Sequence, residues 1–440
     1  MSLKSTFRSL KHTNYRMWAG GAIVSNVGTW MQRTAQDWIV LTQLTDKNAT
    51  AIGIVIGLQF GPQVLLLPVT GFAADHLDRR KLLIATQAAM GLLALGLGIL
   101  TVGGWVQLWH VYLFALLLGC VTAFDAPARQ TFVADLVGEN DLSNAVALNS
   151  TSFNLGRTIG PAIAGVLIAA VGCGWVFLIN GVSYIAVIAS LYLLKRDQLT
   201  PVDRAMRNRG RLTDGFRYVW KRPGLRTLLL MLFLIGTFGL KFPIYISTMT
   251  VTVFHADADH YGLLTSLAAV GSVAGALLSA STARPRLGAI LIAAGVFGLA
   301  FVLAALMPGF WMFGLMLVLI GLSAQMFTTT TNSAVQLSTD PAMRGRVIAI
   351  LMAIFLGGSP IGGPIVGWVA DRYGARWALL VGAASALAAV LVGLRYMVRY
   401  RGLRIEMQGV LPRLRYDEAP APAGPTSPPS PNTHSPTQND

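Results

Sequence analysis

The stretch Gly156–Gly165 reads GRTIGPAIAG. Gly156, Gly160 and Gly165 stand at roughly helical spacing, and Pro161 sits inside an apolar run. In a soluble helix such a proline costs about 3 kcal/mol and a glycine about 1 kcal/mol relative to alanine. In a membrane helix both are tolerated, because glycine lets a neighbouring backbone approach and neighbours satisfy the freed carbonyl. The stretch recurs 203 residues on, from position 156 to position 359. There SPIGGPIVG lays Ser359, Gly363, Pro364 and Gly367 over Gly156, Gly160, Pro161 and Ala164. With the register slipped by one, Gly367, Gly374 and Trp377 echo Gly165, Gly172 and Trp175. A repeat at this distance implies two homologous halves, each with the same kinked helix.

Composition places those halves in a membrane. The chain has 440 residues, 54% hydrophobic and 12% charged, with a mean hydropathy of +0.59. Soluble domains carry about 25% charged residues. The apolar runs are continuous rather than alternating, so the spans are helices and not barrel strands. Spans of about 20 residues fit twelve times, at about 17–41, 51–74, 82–101, 106–124, 144–171, 175–194, 225–253, 261–282, 287–306, 311–328, 346–370 and 376–398. The expected architecture is all-α, with a six-helix half at 1–194, a basic linker at 195–224 and a second six-helix half at 225–400. A tail follows at 401–440, mostly disordered, since Glu418 to Asp440 is rich in Pro, Ser and Ala without apolar periodicity.

The net charge of +15 first suggests nucleic acid, but its placement argues for a membrane partner. Ten Lys/Arg lie between Lys195 and Arg226, four in the arm up to Arg16 and six between Arg395 and Arg415. Arg79, Arg80 and Lys81 fall on the same side, while the opposite loops carry Lys47, Arg372 and Arg376. The asymmetry puts both termini in the cytoplasm of a cell membrane. The basic segments can also touch anionic lipid. The basic start runs into a long first span without a small-residue cleavage site, so that span reads as an anchor. Cys120 and Cys173 fall near opposite faces, too far apart for a disulfide. His255, Asp257, Asp259 and His260 are metal-ligand types in a short outer loop, read as solvated rather than as a metal site. GxxxxGK[ST] is absent, and no spacing reads as a nucleophile with its base, so neither a P-loop ATPase nor an enzyme is indicated.

Between the second and third spans lies GFAADHLDRRK, Gly71 to Lys81. This stretch resembles the loop signature of the major facilitator superfamily, G-x-x-x-D-R-x-G-R-R/K. Gly71, Asp75, Arg79 and Arg80 match, whereas His76 replaces the first basic residue and Asp78 the glycine. GRTIGPAIAG resembles the superfamily's antiporter motif, G-x-x-x-G-P-x-x-G-G, with Ala164 in place of one glycine. Ala123 to Ser150 resembles the enterobactin-exporter-like and macrolide-efflux-like branch. The resemblance covers about residues 5–400. It implies twelve helices around a central cavity, alternating access, and export of a small amphipathic molecule such as a drug or siderophore. It also implies a gate in which Asp75 faces the N-terminus of the eleventh span and Arg79 or Arg80 pairs with Asp125. The absence of an ATPase makes the proton gradient the expected energy source, with no cofactor.

Four embedded charges are candidates for coupling or substrate contact. Arg33 and Asp37 stand four apart on the first span and can pair. Arg157 lies inside the fifth span, where a charge costs at least about 2.5 kcal/mol near the bilayer centre. It either faces a cavity or pairs with an acid such as Asp135. Lys241 lies mid-span beside Pro243. Asp37 is the expected proton carrier and Lys241 the expected substrate contact. An importer or a sodium-coupled carrier is the alternative within transport; a channel or membrane-embedded enzyme is the alternative outside it. Substrate, stoichiometry and oligomeric state are not legible.

Overall fold

The computed structural model describes residues 7–138, 141–195, 197, 212–280, 285–400, 404–408 and 411–415, with backbone alone at 68, 71, 72, 74, 75, 212, 280 and in 404–415. A 3-10 turn, Arg8–Lys11, precedes α1 (Thr13–Thr42), α2 (Ala49–Leu65) and α3 (Leu67–His76). Next come α4 (Arg79–Val102), α5 (Leu108–Val137), α6 (Leu142–Val171), α7 (Cys173–Leu193) and α8 (Leu212–Lys221). The chain continues as α9 (Pro223–Leu234), α10 (Phe242–Thr248), α11 (Ala258–Ala280) and α12 (Leu287–Leu306). It ends in α13 (Phe310–Leu337), α14 (Arg344–Tyr373), α15 (Ala375–Tyr400) and a hairpin of β1 (Arg404–Gln408) with β2 (Leu411–Arg415). Among the described residues, ten helical runs are long and apolar enough to cross a membrane: α4 to α7, Pro223–Val253, and α11 to α15. Residues Met1–Gly393 form one compact unit and Leu394–Asp440 a second.

The first two expected spans fall outside those ten for physical reasons. The 30 residues of α1 carry Asn14, Asn26, Gln32, Arg33, Gln36 and Asp37, which lower its hydropathy. The run expected at 51–74 is broken at Leu66, between α2 and α3. Pro62 lies inside α2 and Pro68 at the start of α3, and proline has no N–H for the helical ladder. The seventh run breaks at Leu240–Lys241, with π-turns at Ile235–Gly239 and Met249–Val253 on either side. Pro243 is the second residue of α10, a place a helix tolerates.

Two expected span ends need correction. Residues 125–137, beyond the span expected at 106–124, continue α5 as helix. Residues 329–337 likewise extend α13. In the tail, β1 and β2 pair antiparallel, Arg404 opposite Arg415 and Gln408 opposite Leu411. Residues 416–440 and most of the linker, 198–211, lie outside the described residues.

Helix α1 packs on α6 and α7, α2 on α14, and α11 on both α6 and α13. One apolar cluster joins Tyr15 and Trp18 of α1 to Phe132 and Leu136 of α5 and Leu191 of α7. Tyr15 donates its hydroxyl to the Ala145 carbonyl at 2.9 Å, so the ring is buried without an orphan donor. A second cluster joins Tyr245, Phe301 and Phe297, whose rings meet edge to face. The repeat in the sequence has its counterpart at two helix ends. Gly172 and Gly374 close α6 and α14 with φ of 85° and 101°, the left-handed region open to glycine.

Candidate functional site

The glycines of α6 are contact points. A Cβ on Gly156 would lie 2.9 Å from the Asn26 backbone, and one on Gly160 would lie 2.7 Å from Trp30 Cβ. A Cβ on Gly165 would meet the Ala258 carbonyl at 2.7 Å, on α11. The Pro161 carbonyl in turn abuts Gly262 of α11. In α14, Gly363 abuts Gly53, and Gly367 abuts Ala49 and Thr50 of α2. Each of these two proline-containing helices therefore lies backbone to backbone against a helix of the opposite sequence half.

At the start of α4 the structure departs from the expected gate. Gly71 and Asp75 belong to α3, and their side chains lie outside the described residues. Asp78, which stands where the signature has glycine, accepts from Lys81 N at 3.1 Å and caps α4. Arg79 does not pair with Asp125. It donates from Nη1 to both oxygens of Asp135, at 2.8 and 3.0 Å. Arg80 donates to the Leu191 and Tyr192 carbonyls at 2.7 and 3.1 Å, at the end of α7. Asp125 instead accepts from Thr86 and Gln87, both at 2.8 Å, and from Arg129 at 2.7 Å. The reason is the extension of α5. Ten further helical residues carry the chain about 15 Å past Asp125, so Asp135 reaches Arg79.

Asp141 caps the other side of this region. It holds Arg8 at 2.5 Å and Lys11 and His12 at 2.8 Å. The Lys11 and His12 hydrogen bonds push its carboxyl down to about 2.

The embedded charges are arranged differently from their spacing. Arg33 and Asp37 form no ion pair. The Arg33 guanidinium lies over the Trp30 ring at 5.1 Å and the Phe60 ring at 5.7 Å. Asp37, 8% exposed, accepts the Tyr261 hydroxyl of α11 at 3.3 Å, and Trp38 stacks on that tyrosine at 5.8 Å. Arg157 does not take Asp135, which Arg79 holds, and its Nε is buried without an acceptor. Lys241, 3% exposed, sits at the helix break and donates to Ser359 Oγ of α14 at 2.8 Å.

Asp371 was not among the expected site residues. It ends α14 and accepts from Ala49 N at 2.6 Å, Thr50 N at 2.8 Å and Thr50 Oγ1 at 2.5 Å. These donors open α2, so a carboxylate of one half occupies the positive end of a helix in the other. The signal for it is present. Gly367-Trp-Val-Ala-Asp371 repeats the pattern of Gly71-Phe-Ala-Ala-Asp75. Arg376 extends the parallel, donating to the Ala305 and Met307 carbonyls at the end of α12 as Arg80 does at the end of α7.

A family model described as transmembrane secretion effector matches residues 4–418. The chain belongs to this branch of the major facilitator superfamily. It is 27% identical over 353 residues to the staphyloferrin A transporter of Staphylococcus aureus, covering 79% of this chain and 87% of that one. Identity to the enterobactin exporter EntS of Shigella flexneri is 27% over 340 residues, 74% and 78% of the two chains. For macrolide efflux protein A of Streptococcus pyogenes it is 24% over 385 residues, 84% and 92%. The fold matches a bacterial homologue of the lysosomal transporter Spinster, in its inward-facing and occupied conformation. The TM-score is 0.69 at 14% identity, with 87% and 96% of the chains covered. The nucleoside transporter NupG gives 0.69 at 13% identity, with 88% and 100% covered. The superfamily member described here is therefore a multi-pass membrane transporter of small molecules and not an enzyme.

Proposed function

We propose that this protein exports a small amphipathic organic molecule, of the drug or siderophore type, by alternating access with proton antiport. Two of the curated relatives are named for export or efflux, and all three act on small molecules. In this reading α1 and the broken pair α2–α3 add two spans to the ten apolar ones, making twelve in two halves, 1–194 and 225–400. The basic linker and both termini are cytoplasmic, because the positive charge is concentrated there. The membrane is the cell membrane, and the basic segments rest on its anionic lipid. No cofactor is required.

Two clamps of the same design would alternate. Asp371 on the N-terminus of α2 holds the outer end closed, and Asp75 holds the inner end closed against the N-terminus of α14. Gate states in such proteins differ by a few kcal/mol, a size that one charged clamp can supply. Sliding of α6 on α11 and of α14 on α2 requires glycine at the crossing points.

The observation that carries the coupling is the hydrogen bond between Asp37 and Tyr261, buried and linking the two halves. A neutral carboxyl can be enclosed there at modest cost, whereas an ionised one without a counter-charge cannot. Proton uptake at the outer face therefore favours closing that end and resetting the carrier. Lys241 stands in the opposite half as a polar contact on the substrate path. The test uses Asp37→Asn in inverted vesicles, with and without an imposed pH gradient. Gradient-driven uptake should vanish while substrate exchange at equal pH persists. Full gradient-driven uptake by Asp37→Asn would remove the proton role.

A further inference from the structure

The buried donors of the first half are unequally matched. Trp30 Nε1, Arg33 Nε and Gln36 Nε2 on α1 and Arg157 Nε on α6 all lack an acceptor. All four are N–H groups. They are also grouped. The Arg33 guanidinium covers the Trp30 ring, and the Trp30 ring meets Phe153 edge-on at 5.6 Å. Phe153, Arg157 and Gly160 follow one stripe of α6, and Gly160 lies against Trp30 Cβ. Phe60 of α2 closes the other side of Arg33. The nearest acid along α1, Asp37, is turned to Tyr261. The Arg33 guanidinium thus stands between aromatic rings and Arg157 one turn along α6 from Phe153, both with an unmet donor and no ion pair among the described residues.

We infer that this cluster is a binding site for an amphipathic organic anion, a planar or aromatic molecule bearing carboxylate or phenolate oxygens. The inference rests on the exporter reading and narrows its substrate class. An oxyanion supplies acceptors to each orphan N–H, and guanidinium favours two-pronged contact with a carboxylate. The aromatic rings supply the apolar and stacking surface that the rest of such a ligand requires. A cationic or neutral drug would leave both guanidiniums unmatched. Charge also sets the energetics of export. An anion leaving and a proton entering both move positive charge inward, so an interior-negative potential assists the exchange.

The test uses full-length protein in phosphatidylcholine nanodiscs and a pair of xanthene dyes of similar shape. Fluorescein is a dianion at neutral pH; rhodamine 6G is an esterified cation. Fluorescence anisotropy should show fluorescein binding about tenfold or more tighter than rhodamine 6G. Arg33→Gln and Arg157→Gln should each weaken fluorescein about tenfold and leave rhodamine 6G unweakened. Arg157→Lys should recover part of the loss. Both glutamine variants should fold, since each removes a buried charge that lacks a partner, and an unchanged melting temperature checks this. Equal binding of the two dyes, or fluorescein binding unaltered in both variants, overturns the inference. A second arm adds phosphatidylglycerol to the disc. Abolition of the arginine-dependent signal by that lipid would assign the cluster to a lipid headgroup and also overturn it. Proton-coupled export of a cation by the wild-type protein, at the same rate as by Arg157→Gln, would overturn the anion site while leaving the exporter reading intact.

Discussion

A single arginine shows how a motif and its partner separate. Arg79 occupies the place the superfamily signature gives it, yet it binds Asp135 and not Asp125. Asp125 is itself satisfied by Thr86, Gln87 and Arg129, all local to α4 and α5. Side chains at the Arg79–Asp135 contact are 16% and 14% exposed, so the pair is partly desolvated. Its coupling should exceed the fraction of a kcal/mol typical of an exposed pair and reach about 1–2 kcal/mol. A double-mutant cycle of Arg79→Ala with Asp135→Asn, read by thermal unfolding in detergent, should return that value. The same cycle with Asp125→Asn should return less than about 0.5 kcal/mol, as expected for sites that share no partner. A larger coupling to Asp125 would restore the pairing the signature implies.

The elements divide into those legible in the chain and those that depend on its fold. The related helices α6 and α14 are legible because Gly and Pro recur at fixed spacing in two apolar runs. Glycine stripes mark α2 and α11 as well, at Gly53, Gly57 and Gly61 and at Gly271 and Gly275, so close contact among these four helices is legible too, while which crosses which is set by packing between segments far apart in sequence. The same holds for the embedded charges. Arg33 and Asp37 are spaced for a local pair, but Trp30 and Phe60 capture the guanidinium and Tyr261 captures the carboxylate. The end of α5 lies past the span expected at 106–124 because the residues beyond Asp125 are polar, and the contact that holds them comes from α4. The glycine contacts carry their own prediction. A leucine at 160 would set its Cβ 2.7 Å from Trp30 Cβ and 3.0 Å from the Val27 carbonyl oxygen. Overpacking of this kind costs about 1–3 kcal/mol. Because displacing α6 from α1 would also shift Gly165 against α11, the contact proposed to slide between the halves, Gly160→Leu should reduce transport about tenfold or more at comparable expression. Efflux at the wild-type rate by a well-expressed Gly160→Leu protein would deprive the stripe of a role beyond insertion.

For the whole molecule the decisive feature is that both halves close the same end through α2 and α11. Asp371 is bound to the first N–H groups of α2, Gly367 lies against Ala49 and Thr50, and Gly165 lies against Ala258 and Asp259. Tyr261 adds its hydrogen bond to Asp37 at the same helix start. In the proposed cycle, opening that end breaks the Asp371 clamp, whereas opening the other end leaves it intact. A carboxylate on a helix N-terminus contributes about 0.3–1 kcal/mol when exposed and up to about 2 kcal/mol when partly buried. Asp371→Asn keeps an acceptor and removes the charge. A loss of 1–2 kcal/mol is a factor of about 5–30 in a two-state ratio, enough to shift the resting population toward the opposite state. Thr248 and Thr252 line the cleft beside Asp371, and both cysteines of the chain are free, so a Cys120→Ser, Cys173→Ser background gives a clean reporter. A cysteine placed at Thr252 should react several-fold faster with an impermeant thiol reagent from outside when Asp371 is Asn. Restoring the charge with Asp371→Glu should slow it again. If the rate is the same with Asp, Asn and Glu at position 371, the carboxylate does not hold the outer end closed, and the close approach of Gly53 to Gly363 must do so by packing alone.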